Sequence, residues 1–162
     1  MIKLLRTIRF DASDEKVFAV AAAADEWAVS GSLAFADVEP AALTGKVRQA
    51  FANGFLGVES QGWSTFATVS EATEGTARAI EERLTDHCVA RYGAPSREAA
   101  LPVAQGEIAF VIDLCRDVPI NTVFTVRRVL DDQGRIKEEF RQIRPPSGEP
   151  MHAAIWRIDD EA

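Results

Sequence analysis

The 162-residue sequence predicts one α+β domain, an antiparallel or mixed sheet of about five strands packed against two longer helices. Three observations predict it. Apolar and polar residues alternate with period two at the start, an apolar stripe repeats at helical spacing from Ala77 to Cys88, and two β-branched runs flank a glycine turn between Thr122 and Ile143. Residues 1–144 read as the domain and 145–162 as a partly apolar tail that packs on it or on a partner.

The first strand rests on Ile2, Leu4, Ile8 and Phe10, which alternate with Lys3, Thr7 and Arg9 and place one face on a core and the other in water. A second strand is expected from Trp27 to Ala36. Trp27, Val29, Leu33 and Phe35 share one face, and Ala28, Ser30, Ser32, Ala34 and Ala36 form a small-residue face that suits cover by a helix or another chain. Gly31 in its middle implies a bulge or the close approach of another group. Pro40 suits a helix start, and Leu43, Val47 and Ala50 continue at helical spacing to a stop near Asn53-Gly54. A third strand is expected from about Gly62 to Ser70, rich in Trp, Thr, Phe and Val.

The middle of the chain is helical. Ala77, Ile80, Leu84 and Cys88 make a single stripe from Glu74 to Tyr92, with Gly93 placed as a left-handed cap. Ser96 reads as an N-cap, Pro102 as a break or restart, and Val103 to Cys115 as a helix apolar nearly all round and so buried on most sides. The last third is a hairpin, Thr122 to Leu130 and Arg135 to Ile143, joined by Asp131-Asp132-Gln133-Gly134. Arg127, Arg128, Arg135, Lys137, Glu138, Glu139 and Arg141 are dense enough for cross-strand ion pairs on a solvated face.

Composition limits the partners. With 47% hydrophobic and 27% charged residues the chain is globular, and its longest apolar run, Val17 to Ala24, is far below the ~20 residues that span a bilayer. Charges among the first six residues interrupt any signal-peptide core, so a cytoplasmic location is expected. A net charge of −7 repels nucleic acid and anionic membranes across the surface as a whole. The charge is uneven, with seven acidic residues and one basic residue from Asp11 to Glu39 against seven basic and five acidic from Arg116 to Arg144. Cys88 and Cys115 fall inside apolar helix stripes and read as reduced core residues.

Known chemical constellations are missing. His87 and Cys88 are neighbours on a helix and point about 100 degrees apart, and neither CxxC nor HExxH occurs, so no metal set and no cofactor are expected. Thr44-Gly45-Lys46 resembles the end of a phosphate-binding loop but has Pro40 where the first glycine belongs and Val47 where a hydroxyl belongs. Gly54-Phe55-Leu56-Gly57 lacks the strand and helix of a dinucleotide fingerprint and reads as a tight apolar turn. No residue is assigned a catalytic role.

Several segments together are similar to an uncharacterised family of small alphaproteobacterial proteins with a domain of unknown function. They are Ile2 to Arg9, Glu26-Trp27-Ala28-Val29-Ser30-Gly31, Leu43-Thr44-Gly45-Lys46 through Phe51, Gly54-Phe55-Leu56-Gly57 and Gly62-Trp63-Ser64-Thr65. The similarity runs to about Arg144, and the tail beyond Pro146 lies outside it. The resemblance implies members that tend to be encoded beside a biotin/lipoate ligase-like protein and formate-dehydrogenase-type molybdoenzyme components, and with that an accessory or assembly role; it carries over no catalytic residue.

Two functions follow as expectations. The first is a non-enzymatic accessory protein acting through protein contacts or self-association, with Trp156, Arg128, Arg141 and Arg144 as contact residues and Arg157 beside them. The second is a small-molecule site or small enzyme with a pocket between sheet and helix, lined by Ser30, Ser32, Thr65 and His87, with Arg128 within reach.

Overall fold

The computed structural model describes residues 1–143 and the two-residue strand at 158 and 159. Seven strands lie within residues 1–143: β1 (Ile2–Ile8), β2 (Trp27–Val29), β3 (Phe55–Gly57), β4 (Trp63–Ser64), β5 (Phe66–Ala72), β6 (Val123–Leu130) and β7 (Ile136–Ile143). An eighth, β8 (Ile158–Asp159), adds to the edge of β7. The helices are α1 (Ser13–Val17), α2 (Gly45–Asn53), α3 (Glu74–Arg91) and α4 (Arg97–Cys115). The strands form one sheet in the order β4-β3-β2-β1-β5-β6-β7-β8, and every ladder is antiparallel.

The sheet is thus larger than the expected five strands. β3 and β4 are three and two residues long, too short for alternation to show, and β3 occupies the segment read as a tight turn. Thr65 splits the expected Gly62–Ser70 strand, because the carboxylate of Asp14 takes both its N–H (3.3 Å) and its hydroxyl (2.6 Å). The long second strand ends early. At Gly31 the backbone turns to φ +100, and Ser32–Phe35 continue as a 3-10 turn. Glycine is required there twice over: L residues rarely adopt that φ, and a Cβ would lie 2.7 Å from the Trp63 ring. The close approach implied by the sequence is therefore the Trp63 ring, with the Arg128 guanidinium just behind it.

Both faces of β1 are covered, since Leu4 and Leu5 are buried on opposite sides and Thr7 is buried with Leu5. The expectation of one wet face fails because other segments lie on β1: α4 packs against it, and the Thr7 hydroxyl donates to Ala23 O at 2.5 Å; its edges are taken by β2 and, along its whole length, by β5.

The helices pack as an antiparallel pair. In α3, capped by the Thr73 hydroxyl accepting from Thr76 N, Ile80, Leu84 and Cys88 are buried as their spacing requires. Ser96 caps α4 as read, through Ala99 N, but α4 runs unbroken through Pro102. Its buried face is a single stripe, Ala100, Ala104, Ile108, Val111 and Cys115, and Val103 and Phe110 are exposed, so α4 is not buried on most sides. Cys88 and Cys115 are buried and unbridged.

Two features position the site. The sheet curls: β3 and β7 stand five strand spacings apart, roughly 24 Å in a flat sheet, yet Phe55 and Phe140 have ring centroids 6.2 Å apart. The β6–β7 ladder also outruns the sheet. It pairs continuously from Val123↔Ile143 to Leu130↔Ile136, whereas β5 pairs β6 only at Ala67↔Phe124 and Thr68↔Val123. Beyond those two pairs β6 leaves β5, and α2 fills part of the gap, with Asn53 Nδ2 donating to Val126 O at 3.4 Å.

Candidate functional site

The curl brings β2, α2, α4 and the hairpin around one buried arginine. Along β6, Phe124, Val126, Arg128 and Leu130 share a face, so Arg128 points inward with apolar neighbours. It is 1% exposed. Removing a cation from water costs several kcal/mol unless its donors find acceptors, and here all three nitrogens do. Nε donates to Glu138 Oε2 (2.7 Å), one terminal nitrogen donates to Phe51 O (2.9 Å) and Ala50 O (3.4 Å), and the other donates to Ser30 O. Glu138 stands directly across the ladder from Arg128 and also accepts from Ser30 Oγ (2.8 Å). The guanidinium thus ties α2, the end of β2 and β7 together. Arg128 was expected on a solvated face as a partner contact; the alternation of β6 puts it inside.

Glu107 of α4 completes the cluster. Ser32 Oγ lies 3.5 Å from its Oε2, while its Oε1 is buried without a hydrogen-bond partner. Burial first, then the neighbouring Glu138 carboxylate, push the Glu107 carboxyl up to about 7, against the pull of Arg128, the Ser32 hydroxyl and the Ser30 backbone N–H. Burial likewise lowers the Arg128 guanidinium, opposed by Glu138 and Glu107.

The second feature is an open groove of about 400 Å³ where β6 parts from β5. Its floor is apolar, with Val17, Phe18 and Phe66, β6 borders it at Val126, whose side chain faces inward with Arg128, and its polar walls include Gln49 and Asn53 of α2, Thr65, Arg127, Glu139 and Arg141. Arg127 pairs in register with Glu139, and Thr125 with Arg141, so these side chains emerge on the face opposite Arg128. Arg141 reaches Glu139 at 3.5 Å. The groove runs into exposed apolar surface, since Phe10, 63% exposed, packs edge-on against Phe66 at 5.0 Å, and Val17 is also exposed.

The residues singled out in the sequence separate accordingly. Ser30, Ser32 and Arg128 meet in the buried cluster, whereas Thr65 and Arg141 line the groove. His87 sits on α3, partly buried, with Nε2 unpartnered, and belongs to neither place. Trp156, Arg144 and Arg157 lie outside the described residues. Glu107 and Asp14 were not singled out, and Arg127 was named only among the hairpin charges of a solvated face. Glu107 had a signal: it lies three residues after Ala104 and four before Val111, a carboxylate at the edge of an apolar stripe.

No group of three or more His, Cys, Asp or Glu among the described residues is placed to hold a metal ion. No helix among them is long and apolar enough to cross a membrane. Both cysteine thiols are raised by burial, Cys115 to about 12, which suits packing better than nucleophilic chemistry.

Residues 1–161 match the profile of a family of unknown function, DUF6505. The chain belongs to that family. The match takes in the tail, which the sequence resemblance had left outside. No curated protein and no solved structure matches the chain.

Proposed function

We propose that this DUF6505 member is a binding protein that acts through protein contacts, its groove between α2 and β5–β7 receiving a partner segment in which an acidic side chain lies next to apolar ones. One observation carries this reading. Arg127 stands exposed over the apolar floor with no hydrogen bond or ion pair among the described residues, while Arg128 beside it is fully engaged. An unengaged guanidinium on a rigid strand is a ready carboxylate partner, and an apolar floor continuous with Phe10 and Val17 supplies the buried area that a charge alone does not. A groove open along one side fits a side chain or extended segment better than an enclosed metabolite. Self-association is the case in which the partner is a second copy. The molybdoenzyme-assembly role implied by the sequence resemblance is one accessory task that this reading admits.

A photo-crosslinking residue in place of Gln49, in the full chain and the native extract, tests it. The expected adduct lies on an acidic segment of one protein and disappears when Arg127→Glu is added. Adducts unaffected by Arg127→Glu, or none at all, would reject the reading.

A small carboxylic acid in the same groove is the second reading, favoured by its volume, which falls in the range of small-ligand pockets. Native mass spectrometry of gently purified protein distinguishes it by an added small-molecule mass that Arg127→Glu removes.

A further inference from the structure

We propose that Glu107 is a proton-operated latch between α4 and the β6–β7 hairpin, seated when its carboxyl carries a proton and loosened when it is ionised. The geometry supplies one buried cation and two carboxylates. Arg128 is already held by Glu138 at 2.7 Å and by three backbone carbonyls, and the same oxygen of Glu138 takes the Ser30 hydroxyl. Donation to Glu107 is weak: Ser32 Oγ is 3.5 Å from one oxygen, the backbone N–H of Ser30 favours the charged form least of its neighbours, and the other oxygen is buried without a partner. An ionised Glu107 is therefore a second negative charge against a cation that already commits four of its five N–H groups to Glu138 and backbone carbonyls, in a site where burial raises the cost of any unpaired charge. A protonated Glu107 leaves the Arg128–Glu138 pair balanced.

The charged and polar groups around Glu107 come from every packed element: Arg128 of β6, Glu138 of β7, the backbone N–H of Ser30, the hydroxyl of Ser32, and the Cys88 thiol of α3, which Glu107 in turn pushes up. A carboxyl raised from 4.5 to about 7 places the change near neutrality.

The sign follows from linkage. The folded protein holds this proton to a higher pH than the opened one, so the stabilisation is complete below about pH 4.5 and is lost as pH rises to about 7. Within that window the opening constant rises about tenfold per pH unit, and above about pH 8 it is flat.

The test compares the wild-type full chain with Glu107→Gln, a neutral stand-in for the protonated acid, by hydrogen exchange of the α4 and hairpin amides from pH 5 to 8, corrected for intrinsic exchange. The two proteins should open within a few-fold of each other at pH 5, with the wild type opening up to about three-hundredfold more at pH 8. The difference between them cancels every titrating group they share. A difference constant from pH 5 to 8 would overturn the latch. Should Glu107→Gln fail to fold, carbon NMR of the Glu107 carboxyl in the wild type decides instead: a midpoint near 7 supports the proposal and one near 4.5 sinks it.

Discussion

At the scale of single residues, the molecule turns on side chains whose polar atoms are fixed by the backbone of other elements. Arg128 is the leading case, for its acceptors are Glu138 and the carbonyls of Ser30, Ala50 and Phe51. Truncating it leaves the partly buried Glu138 beside an unbalanced Glu107 and strips three carbonyls of their donor. Breaking a buried pair from one side costs 3–5 kcal/mol in general, so Arg128→Ala should lower the free energy of urea unfolding by about 4 kcal/mol, more than any exposed arginine. A loss under about 1 kcal/mol would mean that water replaces the guanidinium. Glu26 plays a similar part at the other end of the sheet, its two oxygens accepting from Ala23 N, Glu59 N, Ser60 N and Ser60 Oγ, with Gly57 leaving room for the carboxylate. Arg128 was legible in principle, because the period-two face Phe124–Val126–Arg128–Leu130 is apolar apart from it. Glu26 was not, since three of its four donors, Glu59 N, Ser60 N and Ser60 Oγ, lie 33 and 34 residues further along the chain.

At the scale of elements, what the sequence states locally proved readable, and what depends on distant pairing did not. α3, both strands of the hairpin and the Ser96 cap follow from spacing, β-branching and a hydroxyl, all within one turn or one strand. The ends of β2, β4 and β5 are set instead by contacts from elsewhere: the Trp63 ring at Gly31 and the Asp14 carboxylate at Thr65. Pro102 shows the same priority of packing over propensity. It sits in the interior of α4, where it cannot donate to the Glu98 carbonyl and its ring crowds that oxygen, yet the stripe from Ala100 to Cys115 keeps the helix in register. Pro102 is itself exposed. Pro102→Ala should therefore return a hydrogen bond without opening a cavity. Less the entropy that proline removes from the unfolded chain, the net gain should be about 1 kcal/mol, seen as a rise in the thermal midpoint. An unchanged midpoint would show that the first turns of α4 add little to global stability.

At the scale of the whole molecule, the curl of the sheet and the early parting of β5 from β6 create both places where polar groups converge, one sealed and one open. Neither was readable from the chain, because curvature is the sum of register choices along ladders whose partners are far apart in sequence. Charge is distributed to match: a chain of net −7 keeps Arg127 and Arg141 at the open groove beside one acid, Glu139, so the local sign opposes the global one. Phe10 tests whether that groove and its apolar rim form one working surface. The ring is mostly exposed, and its packing in the fold is an edge contact with Phe66, so Phe10→Ser removes one aromatic pair and should cost the fold about 1 kcal/mol. If the rim is part of the docking surface, the same change should weaken capture of the partner cross-linked from position 49 by tenfold or more, the scale of an interface anchor. A partner bound as well by Phe10→Ser as by the wild type would confine docking to the polar walls around Arg127. A stability loss well beyond 2 kcal/mol would instead make Phe10 a support of β5.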